Sequence, residues 1–113
     1  MPWSANQWGK IWDATYASCD KDTQDLLDVR LDILKERGNL SGRPVTAPLE
    51  AGIFELRAKD ARLLFYFGEE RDIIFVHGII KKTRSVPPAD IKLAKKRREE
   101  ILKGAKKKNA LPN

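Results

Sequence analysis

The residues best suited to chemistry are two arginines, Arg57 and Arg62, on either side of a short polar turn. Before and after the turn, apolar and polar residues alternate, which is typical of β-strands with one half-buried face. The alternation places both arginines on the face opposite the apolar one. A guanidinium is planar and always charged, and it can bind two oxygens of one phosphate. The pattern predicts fixed cations suited to a phosphate backbone; the alternative is a salt bridge with Glu55 or Glu50.

A second group of cations, Lys81, Lys82 and Arg84, follows an apolar segment and precedes a proline pair. Residues 73–80 are apolar on both faces except at His77, so they predict a central strand covered on both sides. The loop that leaves this strand can present its cations to a ligand. Lysines in such a loop that are merely solvated are the alternative.

Fixed cations meet one requirement of metal-independent RNA cleavage. The reaction needs a group that removes the 2′-hydroxyl proton, charges that stabilise the transition state, and a group that protonates the leaving 5′ oxygen. Because arginine and lysine supply the second, Arg57, Arg62, Lys82 and Arg84 are the candidate catalytic residues. Glu55 is either a general base or a cross-strand partner that orients Arg57.

His77 and Tyr66 are the remaining candidates for proton transfer or base stacking. His77 is the only histidine, but it interrupts the most apolar segment, which favours a buried, hydrogen-bonded structural residue over an acid or base. Tyr66 shares its strand face with Arg62, where it can stack on an exposed base. Packing under the C-terminal helix is the alternative. We assign Tyr66 and Lys81 to the RNA-binding set.

Residues 91–103 predict a basic helix that begins after Pro87-Pro88 and ends at Gly104. Its cations outnumber the two glutamates available for pairing along the helix. This excess favours a face that binds an RNA backbone over one that is only solvated. The RNA-binding residues assigned to this helix are Lys92, Lys95, Lys96 and Arg97.

The elements around these residues predict an α+β fold. Residues 3–18 are predicted to form a first helix, because Trp8 and Trp12 are one helical turn apart. A leucine stripe at i, i+4 and i+7 predicts a second helix that ends near Gly38, so the two form an N-terminal helical hairpin. Residues 39–52 predict a loop. Three strands joined by short turns then predict an antiparallel meander, which the C-terminal helix follows.

Length and composition indicate one domain. The chain has 113 residues, and 42% of them are hydrophobic, as in an ordinary soluble globule. We expect a domain over residues 1–104 and a basic, disordered tail over 105–113. Cys19 is the single cysteine, which excludes a disulfide framework and indicates neither zinc nor a thiol enzyme. We expect no cofactor, no metal and no membrane association, and we expect a cytoplasmic location.

The charge is divided unevenly along the chain. Residues 1–80 carry 10 Lys and Arg against 13 Asp and Glu, whereas residues 81–113 carry 12 against 3. A polarised, basic region of this kind implies an anionic partner, and nucleic acid is the commonest one. A solvated basic tail is the alternative.

Three features in order resemble the RelE/HigB toxin superfamily, and above all its phage-derived HigB-like branch. They are Glu55-Leu56-Arg57, a strand that opens with Arg62, and an apolar strand that runs into Lys81-Lys82-Thr83 and then Pro87. The resemblance spans residues 22–103. It implies a RelE-like toxin domain in which Arg62 binds phosphate, Arg57 supports it, and the loop after the third strand borders the active cleft.

The resemblance also implies a function. It indicates the toxin of a type II toxin–antitoxin system, a ribosome-dependent mRNA endoribonuclease that inhibits translation. The implied partners are the ribosome, mRNA and a cognate antitoxin of the helix-turn-helix type. A ParE-like gyrase poison and a non-catalytic RNA-binding regulatory module are the alternatives. Several RelE-like toxins carry a late Tyr or His, but this sequence has neither after His77, so the general acid is unassigned.

Overall fold

The computed structural model describes residues 2–82 and 84–112, which fold around a six-stranded sheet. The strands are β1 (Ser4–Trp8), β2 (Thr46–Glu50), β3 (Ile53–Ala58), β4 (Ala61–Gly68), β5 (Asp72–Ile80) and β6 (Lys108–Ala110). The α-helices in this part of the chain are α1 (Ile11–Ala17), α2 (Lys21–Arg37) and α3 (Pro88–Leu102). The predicted α+β class is confirmed. None of the helices described is both long and apolar enough to cross a bilayer.

The sheet has the strand order β2-β3-β4-β5-β1-β6. Strands β2 to β5 pair antiparallel in sequence, which confirms the predicted meander. Strand β1 lies parallel to β5, so β5 has neighbours on both sides and is a central strand, as its apolar sequence predicts. Strand β2 forms one edge of the sheet and β6 forms the other.

Helices cover both faces of the sheet and create two apolar clusters. On one face, α1 and α2 pack on a cluster that includes Leu27, Leu31, Phe65 and Phe75. Helix α1 lies so close to β5 that a Cβ added at Gly78 would be 2.0 Å from the Thr15 hydroxyl oxygen. On the other face, α3 packs on a second cluster, whose buried members are Ile53, Leu64, Tyr66, Ile74, Val76, Val86 and Ala94.

The N-terminal prediction is wrong, because residues 4–8 form a strand and the first helix begins only at Ile11. The spacing of Trp8 and Trp12 imitates a helical stripe, but their side chains pack on opposite faces of the sheet. Trp12 contacts Phe75 in the cluster under α1 and α2, with ring centroids 4.8 Å apart. Trp8 packs against the cluster under α3. Two consecutive helices still cover one face, although the first is shorter than predicted.

The predicted loop over 39–52 contains the edge strand β2. Pro48 lies inside this strand, and a register shift follows it in the pairing with β3. Proline cannot donate a ladder hydrogen bond, so it is found at sheet edges rather than in central strands. The same residue that suggests a loop in the sequence is therefore compatible with the edge position.

A short strand lies within the segment for which the sequence predicts a disordered tail. Residues 108–110 form β6 and pair antiparallel with β1. Leu111 is buried against the cluster under α1 and α2. The sequence gives no sign of this strand, because the segment has no internal periodicity and pairs with β1, which is distant in the sequence.

Asp72 connects the three strands that meet at this end of the sheet. Asp72 is 4% exposed, and its Oδ1 accepts hydrogen bonds from Ser4 Oγ at 3.0 Å and Asn6 Nδ2 at 2.5 Å. Lys108 Nζ forms an ion pair with its other oxygen. One buried carboxylate thus joins β1, β5 and β6.

We predict that Asp72→Ala lowers the free energy of unfolding by about 1–3 kcal/mol, because its buried polar partners lose their acceptor. Chemical denaturation would measure the change. Glu69→Ala, at an exposed position of the same hairpin, is the control and should stay within about 0.5 kcal/mol of wild type. Equal stability of the two variants would show that Asp72 does not hold the C-terminal strand.

Candidate functional site

A groove of about 670 Å³ runs along the edge strand β2 and ends against the loop before α3. Its lining combines arginines, two glutamates, small polar groups and aliphatic side chains. The described lining residues are Arg30, Arg43, Pro44, Val45, Thr46, Ala47, Pro48, Leu49, Glu50, Glu55, Arg57, Arg84, Ser85, Val86 and Ile91. Parts of the chain that are far apart in sequence meet here, so we take the groove as the candidate site.

Four arginines from four segments of the chain line this groove. Arg57 comes from β3 and Arg84 from the loop before α3, as the sequence predicts for a shared site. Arg30 on α2 and Arg43 before β2 were not among the predicted residues. No local pattern could have identified them, because each lies in a segment whose sequence shows only a helix or a loop.

Three of these arginines are linked through backbone carbonyl groups. Arg30 Nη1 donates to the carbonyl of Arg57, and Arg57 Nη2 donates to the carbonyl of Arg84 at 2.7 Å. Each contact fixes the backbone that carries the next arginine in the series. The guanidinium groups are therefore held on a connected scaffold, which is the preorganisation that binding an anion requires.

Glu55 lies on the floor of the groove between two arginines. The residue is 7% exposed, and its Oε1 is 3.3 Å from Arg57 Nε and 4.0 Å from Arg62 Nε. Glu55 is therefore an ion-pair partner of Arg57, as one of the two sequence interpretations has it, but along β3 rather than across strands; its cross-strand contact is with Arg62. Arg57 Nε is buried and makes no hydrogen bond within the described part of the chain, since the contact with Glu55 lacks the required alignment.

Arg62 is buried beneath the site and does not line the groove. It is directly opposite Arg57 in the β3–β4 register and is 5% exposed. Its guanidinium donates to the carbonyl of Lys59 at 2.6 Å and is 3.3 Å from that of Ala61. Burial, followed by the charge of Arg57, lowers the pKa of Arg62 from its usual value. The guanidinium thus supports the β3–β4 turn, and direct phosphate contact by Arg62 stays a sequence prediction.

The basic loop after β5 places only one of its described cations in the groove. Arg84 lines it, whereas Lys81 and Lys82 are exposed and do not. Lys81 Nζ is 3.7 Å from Asp90 Oδ2 at the start of α3. Thr83, the last residue of the Lys-Lys-Thr motif, lies outside the described residues.

His77 belongs to a polar network between the sheet and α3. A register shift between β4 and β5 turns His77 toward α3, although strict alternation from Phe75 would place it on the other face. Its Nε2 is 2.7 Å from Asp90 Oδ1, and Arg97 Nη1 is 3.3 Å from its Nδ1. With a side chain that is only 11% exposed, His77 has the hydrogen-bonded position that the sequence favoured.

The cations of α3 divide into internal and exposed groups. Arg97 donates to the carbonyl of Val76 at 3.0 Å and lies 3.9 Å above the Trp8 ring, and burial lowers its pKa. Lys95 pairs with Glu50 at 2.9 Å. Lys92 and Lys96 are exposed and lie one turn apart on the helix. The predicted basic face therefore reduces to its exposed lysines.

Tyr66 is 5% exposed and packs in the cluster under α3. Burial, followed by the charge of Asp72, raises its pKa above the usual value. The ring therefore packs under the C-terminal helix, which was the alternative interpretation of the sequence. In this position it is not accessible for stacking on a base.

The groove lies within the part of the chain that matches a known protein family. A model of the family described as phage-derived protein Gp49-like (DUF891) matches residues 16–99, which include all described residues that line the groove. Among solved structures, the chain is similar to one from the toxin–antitoxin complex RelBE2 of Mycobacterium tuberculosis, with 20% identity and a TM-score of 0.48. That similarity covers 72% of this chain and 100% of the other. No protein of curated function matches the sequence.

We predict different effects on stability for the two paired arginines. Arg62→Met should lower the free energy of unfolding by about 1–3 kcal/mol, because the turn carbonyls lose their buried donor. Arg57→Met should have a smaller effect, since the Arg57 side chain is 38% exposed. Urea denaturation of both variants would measure the difference. An Arg62→Met protein as stable as wild type would contradict the structural role.

Proposed function

We infer that this chain, which belongs to the phage-derived Gp49-like protein family, is the toxin of a type II toxin–antitoxin system. It would act in the cytoplasm as a metal-independent endoribonuclease that cleaves mRNA on the ribosome and so inhibits translation. The resemblance to the HigB-like branch of RelE/HigB toxins suggests this activity. The observation that supports it best is the groove with four arginines around a buried glutamate.

The arginine groove suits a phosphodiester in both charge and geometry. Each guanidinium can bind two oxygens of one phosphate, and it stays charged at any working pH. As a 2′-oxygen attacks the phosphorus, negative charge grows on the phosphate oxygens, and fixed cations then bind the transition state more tightly than the substrate. We assign this role to Arg57 and Arg84, while Arg30 and Arg43 contact neighbouring phosphates.

Glu55 and Arg62 act through their effect on the groove. Glu55 holds the Arg57 guanidinium from one side, and Arg62 holds the turn between the two strands. Glu55 also lines the groove, so it is the candidate that accepts the 2′-hydroxyl proton. Lys82 is exposed and precedes the groove-lining Arg84 by two residues. It is the candidate that protonates the leaving oxygen.

A gyrase poison is the second candidate function, and one observation favours it. The two residue types that most often transfer protons in such sites are used elsewhere in this structure. His77 is bound between Asp90 and Arg97, and Tyr66 is buried under α3. A toxin that only binds its target needs no proton donor. Cleaved mRNA in a translating extract, against inhibited supercoiling by purified gyrase, separates the two functions.

The proposed partners are ribosomal RNA and a cognate antitoxin. The exposed lysines of α3, Lys92 and Lys96, are suited to sequence-independent attraction to ribosomal RNA. A cognate antitoxin, of the helix-turn-helix type that accompanies HigB-like toxins, would hold the protein inactive.

We predict that Arg57→Gln and Arg84→Gln each slow mRNA cleavage in a translating extract by about 10²-fold, as the loss of one donor to a transition-state charge does elsewhere. Lys10→Gln removes one exposed charge between β1 and α1 and should leave cleavage unchanged. Circular dichroism would establish that each variant is folded. A folded Arg57→Gln protein with wild-type cleavage would rule out the assigned role.

We predict that the double change Lys92→Gln and Lys96→Gln flattens the salt dependence of ribosome binding. Each phosphate contact contributes about 0.7 to 0.9 to the slope of log K against log salt, so the slope should fall by about 1.5. Lys10→Gln with Lys21→Gln is the charge-matched control. An unchanged slope in the α3 variant would place this face away from RNA.

A further inference from the structure

We propose that helix α2 carries a self-association surface, through which a second copy of this chain binds as the parallel partner in a short two-stranded coiled coil. The surface is a seam of three apolar residues on the outer side of the helix, Leu26, Val29 and Ile33. Its spacing, its exposure and the charges on its two sides support a second copy as the partner. The inference goes beyond the proposed ribonuclease activity, because none of the three residues lines the groove.

The α2 seam is a second apolar stripe on a helix that already has a buried one. The buried stripe, which faces the sheet, consists of Leu27, Leu31 and Leu34. Residues of the seam are three and four positions apart, which is the spacing of a heptad repeat with Leu26 and Ile33 at a and Val29 at d. At about 100° per residue, this stripe lies roughly a third of a turn from the buried one. Asp22 and Glu36 hold the neighbouring d positions, so the seam is short.

The seam is open to solvent. Val29 at its centre is 55% exposed, whereas Leu26 and Ile33 are half-buried. Leu40, in the 3₁₀ turn after the helix, is 81% exposed. Exposed apolar residues that follow one helix face, rather than scatter singly, mark a surface that binds another protein.

Opposite charges border the seam on its two sides. The g positions of the heptads hold Asp25 and Asp32, and the e positions hold Arg30 and Arg37. In a parallel coiled coil, each g residue meets the e residue of the next heptad in the other helix. Asp32 therefore faces Arg37 of the second copy, and Asp25 faces Arg30 of the second copy. Two-fold symmetry forms each of these pairs twice.

The charges also decide which partner and which direction fit the seam. Among the described residues, the ion pairs of α2 are Lys21 with Asp25 and Asp22 with Lys59, which leaves Asp32 and Arg37 unpaired. A nucleic acid is repelled by the acidic side of the seam. An antiparallel second helix sets acid against acid and base against base. A parallel second copy satisfies both sides with residues that the chain already carries.

Charge reversal at one pair tests the proposal on the full chain. Sedimentation equilibrium at up to about 1 mM protein detects even a weak dimer. We expect wild type to dimerise. We expect Arg37→Glu and Asp32→Arg each to weaken the dimer by about tenfold, because each reversal sets two like-charged pairs opposite each other. An equimolar mixture of the two variants should dimerise as wild type does, since both of its interhelical pairs are attractive again.

Two more variants separate the seam from general effects of charge. Lys35→Glu makes the same charge change as Arg37→Glu in the same last turn of α2 but away from the seam, and it should dimerise as wild type does. Val29→Asp places a charge at the exposed centre of the seam and should weaken the dimer by more than tenfold. Circular dichroism would establish that each variant is folded.

A monomeric wild type, or a mixture of Arg37→Glu and Asp32→Arg that stays monomeric, would overturn the inference. A tighter dimer of Arg37→Glu would also overturn it, because that result indicates an antiparallel pair. The proposed function is decided separately. Cleavage of mRNA by wild type, whether present or absent, changes none of these results, since Asp32 and Arg37 do not line the groove.

Discussion

Two guanidinium groups on adjacent strands, with one buried carboxylate beside them, are the constraint on which the rest of the site depends. Arg57 and Arg62 are direct cross-strand neighbours, so their like charges repel, and the charge of Arg57 helps to lower the pKa of Arg62. Glu55 offsets this repulsion by ion pairs to both. The two arginines differ in what they bind. Arg62 donates to carbonyls of the turn, whereas the buried Arg57 Nε–H has no hydrogen-bond acceptor among the described residues.

The position of α3 follows from polar contacts as much as from its thin apolar stripe. Asp90 in its first turn and Arg97 two turns later both hold His77 on β5. Arg97 also lies on the Trp8 ring, so the helix is fixed to β1 as well as to β5. The loop that carries Arg84 lies between β5 and α3. Its geometry, and with it one wall of the groove, therefore depends on these contacts.

The sequence predicts the periodic parts of this fold and misses the parts that depend on distant pairing. Alternation identified β3 and β4, a run that is apolar on both faces identified β5, and the leucine stripe identified α2, because each pattern is contained in one segment. The strand β1 and the C-terminal β6 are short, and they are stable only where they meet β5 and each other. The site shows the same division: Arg57 and Arg84 were found from motifs, whereas Arg30 and Arg43 reach the groove only after folding.

Sequence alone also could not decide which cations are free. Arg62 and Arg97 are indistinguishable from Arg57 and Lys96 in a charge pattern, yet Arg62 is buried and Arg97 is half-buried against the Val76 carbonyl and the Trp8 ring. A guanidinium has five N–H donors, so Arg57 can hold the carbonyl of Arg84 and still face the groove, whereas the buried guanidinium of Arg62 cannot reach an incoming phosphate. Folding thus withdraws a few of the 22 Lys and Arg residues from ligands and leaves most of them exposed. The arginines of the groove and the exposed lysines of α3 differ from the other cations in lying together, and such clustering favours directed over diffuse binding.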